Sequence, residues 1–327
     1  MMEYSMAGPK LPRAIHAGQL FSLAPEEKRV NVPKVVSTRR PQLKPKLGQH
    51  FLASDSYALQ IVDALGDTAQ KTVLEIGPGR GVLTSPLAKR ARRLIAVEID
   101  RVLAAQLRLR FGMFPNVEVI EADILSVDFD SLFGPKPGLR RPGIEFKPEP
   151  AKVVGNLPYY ITSEILLRLF DYAKYFETLV ILVQREVADR IAAEPGSRDY
   201  GLLSATAQLY ASVERLFTLP PGAFAPPPKV HSTVLRLTMS PRQRELGLSD
   251  GTNGGRSNDG FIDFLKLSFA QKRKTLWNNL KSNYDEARLR AALSAAKVKP
   301  AARAETLSLE QSATLYRALH ANRDGSS

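Results

Sequence analysis

TVLEIGPGRGVLT, residues 72–84, sets glycines 77, 79 and 81 between an apolar β-like run and a segment with helical spacing. Glycine at such a turn lets the backbone approach a ligand closely, and the helix that follows points its first N–H groups at that ligand. A glycine cluster alone is equally compatible with a plain tight turn. The flanking carboxylates favour the ligand. Glu98 ends the next apolar run, where a carboxylate can accept hydrogen bonds from ribose hydroxyls. Asp123, in EADIL, ends the run after that and could bind an adenine amino group. A dinucleotide calls for G-x-G-x-x-G, but position 82 is Val and Pro78 stiffens the turn. The G-x-G-x-G form after Glu75 instead suits S-adenosylmethionine, a nucleoside ligand with no pyrophosphate to cradle.

Outward from the loop, Thr72–Ile76, Leu94–Ile99, Val117–Ile120, Lys152–Val154 and Leu179–Val183 are predicted strands. Between them, Arg101–Phe111 and Ser163–Tyr172 carry the helical spacing of Leu, Ile and Phe. This alternation predicts an α/β fold with a mainly parallel sheet covered by helices on both faces. GPKPGLRRPGIEFKPEP (134–150), with five prolines, predicts an exposed loop before the fourth strand. Two β-like runs between Leu216 and Leu237, around PPGAFAPPPKV, predict a hairpin added at the end of the sheet. GLSDGTNGGRSNDG (247–260) has linker composition, and Phe261–Asn283 and Asp285–His320 beyond it are predicted to be helical. The expected organisation is a flexible basic arm over 1–45 and a catalytic domain over 46–245. A linker over 246–260 and a small all-α, RNA-binding domain over 261–327 complete it.

The stretch VVGNLPYYIT (153–162) ends the fourth predicted strand in a rigid, aromatic, amide-bearing corner. Asn156 follows that strand, which places it at the same edge of the sheet as the glycine loop. Such a corner suits a planar amine. The N6 lone pair of adenine is delocalised into the ring, so the nitrogen is a poor nucleophile until part of that conjugation is relieved. The amide oxygen of Asn156 and the backbone carbonyl of Leu157 could accept its two N–H bonds and favour a more pyramidal nitrogen. Pro158 fixes its own φ and biases Leu157 toward an extended backbone, which holds the carbonyl direction. Tyr159 offers a ring for a flipped base to stack on. Positioning and preorganised dipoles then carry the rate, with no histidine base and no metal. A lone N-x-P-Y reads more simply as a proline turn with core tyrosines; its place after the glycine loop favours the clamp.

With these motifs in view, the chain resembles the rRNA adenine N6,N6-dimethyltransferase family, most closely its bacterial small-subunit branch, from about Leu47 to His320. LGQHFL (47–52), LEIGPGRGVLT (74–84), VEID (97–100), EAD (121–123) and GNLPYYIT (155–162) match its ordered motifs. LVQREVADRI (182–191), YGLLS (200–204) and FAPPPKVHSTVLRL (224–237) match others. The resemblance implies a Rossmann-like class I methyltransferase sheet. It implies that His50, Leu52, Gly77, Gly79, Glu98, Asp123 and Asn156 line the S-adenosylmethionine pocket, and that Asn156–Tyr159 receive the target amine. Phe224, which alone reads as a hairpin core residue, would be the second aromatic, sandwiching the base against Tyr159. The implied substrate is a pair of adjacent adenosines in a hairpin near the 3′ end of small-subunit rRNA, acted on during ribosome biogenesis. His50 departs from the family, which often has Asn there, and the amino-terminal arm and the 134–150 insertion are unmatched.

The formal charge of +13 on 327 residues points to a polyanionic partner, nucleic acid first. Lys229 beside the Phe224 corner, Arg185 and Arg190 after the fifth strand, and Lys272, Arg273 and Lys274 are the candidate phosphate contacts. The last run reads equally well as a solvated helix face. There are no cysteines, which excludes disulfides, thiolate nucleophiles and cysteine-ligated metals. None of the four histidines has metal-ligand spacing. No run has signal-peptide or membrane-spanning character, so a cytoplasmic monomer is expected. Two other functions share these motifs: a large-subunit rRNA adenine methyltransferase of the macrolide-resistance type, and a ribosome-assembly factor that binds RNA without transferring methyl groups.

Overall fold

Strand residues alternate between two cores, and that alternation sets the architecture. Val73, Leu94, Val154 and Val180 face one side of the sheet. Their neighbours Leu74, Ile95, Val153 and Leu179 face the other. Side chains of successive strand residues point to opposite faces, so a run apolar at every position needs cover on both. The computed structural model describes residues 50–135, 148–248 and 259–321. The predicted arm, most of the 134–150 insertion and most of the 247–260 linker lie outside these described residues.

The first half of the chain runs β1 (Phe51–Leu52), α1 (Asp55–Asp63), β2 (Thr72–Ile76), α2 (Thr84–Arg90), β3 (Arg93–Glu98), α3 (Arg101–Phe111), β4 (Val117–Glu121), α4 (Phe129–Phe133) and β5 (Ala151–Asn156). It continues α5 (Thr162–Asp171), β6 (Phe176–Gln184), α6 (Arg185–Ile191), α7 (Leu202–Tyr210), β7 (Ala211–Leu219), β8 (Phe224–Ala225) and β9 (Ser232–Met239). Four helices close it: α8 (Asp259–Ser268), α9 (Leu276–Leu280), α10 (Glu286–Ala295) and α11 (Leu309–His320).

Seven strands form the main sheet in the order β4-β3-β2-β5-β6-β9-β7. β4, β3, β2, β5 and β6 are parallel, and β9 and β7 join antiparallel. The chain leaves β2 toward β3 on one side and returns to β5 on the other. The crevice beyond the carboxyl ends of β2 and β5 is therefore the topological switch point, where open α/β sheets bind ligands.

Local chemistry starts the helices where they start. Ser54 caps α1 by accepting from Tyr57 N. Asp100 caps α3 through Val102 N and Leu103 N, with Arg108 and Arg110 in its last turn. Ser308 and Gln311 form a reciprocal capping box on α11. α5 buries Ile165, Leu166, Leu169 and Phe170 on one stripe. Each such side chain contributes roughly 1.5–3 kcal/mol when fully buried.

The predicted hairpin exists, with a difference in order. β9 pairs with β6 and lies inside β7, because the connection between them loops out to supply β8. β8 pairs antiparallel with β1, Leu52 opposite Phe224. The predicted helix over Phe261–Asn283 is interrupted. Residues 269–275 form turns, and Thr275 accepts from Asn278 N to start α9 anew. Lys272, Arg273 and Lys274 therefore sit on an exposed turn between α8 and α9, not on a helix face. No described helix is long and apolar enough to cross a membrane.

Candidate active site

All three glycines of the loop adopt left-handed backbone, with φ of 63° at Gly77, 56° at Gly79 and 78° at Gly81. Two of them also have no room for a side chain. A Cβ on Gly79 would come within 2.8 Å of the Phe51 ring, and one on Gly81 within 2.9 Å of Phe111. The twisted backbone turns Gly79 N toward Glu98, whose Oε2 accepts from it at 3.0 Å. The other Glu98 oxygen accepts from Asp100 N at 2.9 Å. Burial pushes the Glu98 carboxyl above the usual carboxylate range, and those two amides oppose the shift.

Glu75 is a carboxylate that sequence reasoning passed over. It occupies β2 and is 1 % exposed. Thr84 Oγ1 donates to its Oε2 at 2.7 Å, while its Oε1 is buried with no partner among the described residues. Burial first, and then the charge of Glu98, push its pKa up to about 8. Only its position before the first glycine marked it in the sequence, and a buried acid in a strand has no local pattern. Asp123 stands at the end of β4, half-buried, and uses Oδ1 to accept from Leu125 N at 2.9 Å.

The corner after β5 abuts the loop: the Gly77 Cβ position lies 4.0 Å from Asn156 O. Asn156 Nδ2 donates to the backbone oxygen of His50 at 3.0 Å. A carbonyl can only accept, so this bond fixes which end of the amide is which. Oδ1 is left buried with no partner among the described residues. A buried, unpaired acceptor costs on the order of 1–3 kcal/mol and calls for an explanation. Leu157 is buried, and its N–H donates to Leu182 O at 3.0 Å. The carbonyl of Pro158 is engaged by Ile161 N at 3.2 Å and Thr162 Oγ1 at 3.0 Å, which ties the corner to α5.

Tyr159 is half-buried, its hydroxyl 3.1 Å from Ser232 Oγ at the start of β9. Burial raises its pKa and the Ser232 bond opposes that. Its ring faces the His50 imidazole at 6.1 Å between centroids, 27° from parallel. Leu52 and Phe224, at 5 % and 4 % exposure, pack into the core on the β1–β8 pair. Phe224 is thus largely buried in this arrangement, on the strand that pairs with β1.

The basic candidates scatter over the surface. Arg185 and Arg190 lie on α6, Arg185 near Asp189 and Arg190 paired with Glu186. Lys229 is exposed in the segment between β8 and β9. Lys272 Nζ donates to Arg198 O at 2.5 Å, while Arg273 and Lys274 are exposed beside it.

A family model described as ribosomal RNA adenine dimethylase matches residues 40–321. The chain is 56 % identical over 290 residues to the ribosomal RNA small subunit methyltransferase A of Koribacter versatilis, covering 88 % of this chain and 99 % of that one. It is 55 % identical over 277 residues to the protein of the same name from Acidobacterium capsulatum, covering 84 % and 91 %. Among solved structures, a 23S rRNA methyltransferase, ErmE, superposes with a TM-score of 0.58 at 28 % identity, over 82 % of this chain and 99 % of that one. A dimethyladenosine transferase from Plasmodium falciparum shares the fold at TM-score 0.62 and 24 % identity, over 81 % and 96 % of the two chains.

Proposed function

The chain belongs to the ribosomal RNA adenine dimethylase family, and from that premise we propose how its own residues ready an adenosine for double methylation at N6. The protein is an rRNA adenine N6,N6-dimethyltransferase acting on small-subunit rRNA. The single observation that carries the mechanism is the buried, unpaired Oδ1 of Asn156 beside the glycine loop. Its amide is already oriented by His50 O, so an incoming N6–H finds an acceptor that needs no reorganisation. The Pro158 carbonyl is used within the corner, so the second N6–H falls to the carbonyl of Leu157. Two acceptors on one exocyclic nitrogen draw its lone pair out of the ring. Tyr159, held by Ser232, supplies a stacking face for the extruded base.

The family's methyl donor is S-adenosylmethionine, which supplies an electrophilic methyl group on a sulfonium. The residues present fit such a ligand. Three positive-φ glycines shape the loop after β2, a Cβ on Gly77 would meet nothing nearer than Asn156 O at 4.0 Å, and carboxylates stand at the end of β3 and just beyond β4. Gly77 and Gly79 would line the cradle, Glu98 would take the ribose and Asp123 the adenine amine. His50 and Leu52 would close the wall beside Asn156. Glu98 accepts from Gly79 N and Asp100 N, so it would shape the loop as well as take the ligand.

Residues 46–245 then form the catalytic region and 261–327 the RNA-holding one, with Lys229, Arg185, Arg190, Lys272, Arg273 and Lys274 as phosphate contacts. The 56 % identity to small-subunit enzymes, against 28 % to a large-subunit one, favours the small-subunit substrate. Labelled S-adenosylmethionine offered with unmethylated small subunits, and with naked large-subunit rRNA in parallel, tests this. Dimethyladenosine mapped near the small-subunit 3′ end is expected. Label confined to large-subunit RNA would overturn the assignment, and no transfer to either would favour an RNA-binding assembly factor.

A further inference from the structure

We propose that the cleft at the junction of α10 and α11 holds a stretch of the rRNA phosphate backbone, with Lys297 and Lys299 as its cations. The proposal rests on the rRNA-modifying function above and adds a contact that none of the basic residues assigned there supplies. The cleft has a volume of about 410 Å³ and lies between the segment that follows α10 and the first turn of α11. Lys297 and Lys299 line it together with Thr306 and Gln311, and buried Val298 and Leu307 add apolar surface. No described carboxylate lines it.

The backbone singles out Lys297. α10 ends in a turn that glycine usually completes: Lys297 N donates to Ser294 O at 3.0 Å, and Val298 N to Leu293 O at 2.9 Å. Lys297 takes the left-handed position of that turn at φ 55°, and no other described non-glycine residue has positive φ. A side chain is strained there, where glycine would not be. Strain of this kind concentrates at ligand clamps, so a lysine kept in glycine's place points to a use for its ammonium group.

Both lysines are exposed, and neither has an ion-pair partner among the described residues. The carboxylates nearby in sequence are taken. Glu286 lies 3.9 Å from Arg290, Glu305 3.8 Å from Arg303 and Glu310 2.8 Å from Arg242. Gln311 accepts from Ser308 N through Oε1, which leaves Nε2 as the end that can donate. The cleft also adjoins the basic turn after α8. Leu276 N, two residues beyond Lys274, donates to Ala302 O at 2.8 Å and joins that turn to the segment bearing Lys297 and Lys299. Two loops far apart in sequence thus bring five basic residues together. Cations spread over adjoining loops match a chain of phosphates better than one small anion.

The experiment compares full-length wild type, a neutral variant (Lys297→Gly with Lys299→Ala) and a charge-keeping one (Lys297→Arg with Lys299→Arg). Glycine suits the backbone at 297, so the neutral variant should fold and melt no lower than wild type. Affinity for unmethylated small subunits is titrated over a range of salt, and hydroxyl-radical footprinting maps backbone protection on the same subunits. S-adenosylmethionine affinity and methyl-transfer kinetics are measured beside them, and adenosine monophosphate is titrated as a small phosphate probe.

Loss of two phosphate contacts should lower the slope of log affinity against log salt by about 1.4–1.8 in the neutral variant. Between about 50 and 200 mM salt its affinity should then fall about tenfold less than that of wild type. One short RNA segment should lose protection in the neutral variant and keep it in the arginine variant. KM for subunits should rise while kcat and S-adenosylmethionine affinity stay within about twofold. An unchanged slope and footprint in the neutral variant, with methyl transfer to small subunits intact, would overturn the proposal alone. So would binding of adenosine monophosphate that the neutral variant loses while keeping its RNA slope, since the cleft would then be a small-anion site. A changed slope and footprint, with no methyl transfer by wild type, would instead overturn the assigned function and leave the RNA contact standing.

Discussion

Replacing Gly79 with alanine perturbs the cofactor loop in two separable ways. The residue sits at φ 56°, where an L side chain costs about 1–2 kcal/mol. Its new methyl would also stand 2.8 Å from Phe51 Cδ1 and 3.0 Å from Cε1. A ring that moved aside would give up its contact with the Arg80 guanidinium, which lies 4.9 Å from its centroid. Overpacking of this kind costs about 1–3 kcal/mol, so the total should reach about 2–5 kcal/mol. At roughly 2–4 °C per kcal/mol, the melting temperature should fall by about 4–20 °C. Affinity for S-adenosylmethionine should fall about tenfold for each 1.4 kcal/mol by which the distorted loop binds it less well. The informative assay is a double-mutant cycle with Phe51→Leu, read by thermal unfolding and calorimetric titration. Without the ring, Gly79→Ala should cost only the backbone part, about 1–2 kcal/mol. Gly79→Ala that binds and melts like wild type would refute the reasoning. So would an equal cost in both backgrounds, since the Phe51 contact would then be irrelevant.

Glu75, with a folded pKa of about 8 against 4.5 in the unfolded chain, binds its proton more tightly when folded. Its contribution to stability is therefore complete below about pH 4.5 and lost as pH rises through about 8. Glu75→Gln, isosteric with the protonated acid, should flatten that decline in pH-dependent unfolding curves; an unchanged slope would count against a protonated Glu75. Tyr159→Phe removes only the 3.1 Å bond to Ser232, so stability should drop by about 1 kcal/mol with most activity kept. Tyr159→Ala removes the stacking face and should lower kcat/KM for RNA by about ten- to a hundredfold in methyl-transfer assays. Replacing Lys272, Arg273 and Lys274 together with alanine should leave the melting temperature nearly unchanged, because the run lies on an exposed turn. It should reduce the slope of log affinity against log salt by up to about 2 in RNA titrations, if all three meet phosphates.

The catalytic sheet was legible in the sequence because its signals are local and redundant. Apolar β-like runs alternating with helical segments predicted a parallel sheet covered on both faces, and three glycines after Glu75 marked a turn at its edge. Asn156 followed from the same logic, as an amide at a strand end beside that turn. What stayed hidden depends on distant pairing. β1 and β8 are two residues each, too short for any period to reveal, and they exist only because the chain brings positions 51 and 225 together. That pairing buries Phe224 and holds position 50 beside the corner, where its backbone oxygen takes the Asn156 amide. The break after α8 was equally invisible, because QKRKT is compatible with a helix until Thr275 caps the next one. Glu75 was hidden for a different reason: its protonation follows from burial, which a single strand residue does not announce.

Asn156 tests the central claim most directly. Single-turnover methyl transfer to unmethylated small subunits is measured for wild type and Asn156→Ala, with S-adenosylmethionine and RNA affinities determined in parallel. Loss of one preorganised acceptor aimed at the reacting nitrogen should slow transfer by about a hundred- to a thousandfold, with a normal fold and both ligands still bound. Transfer at the wild-type rate by Asn156→Ala would contradict the account, because its buried Oδ1 would then have no part in readying the amine.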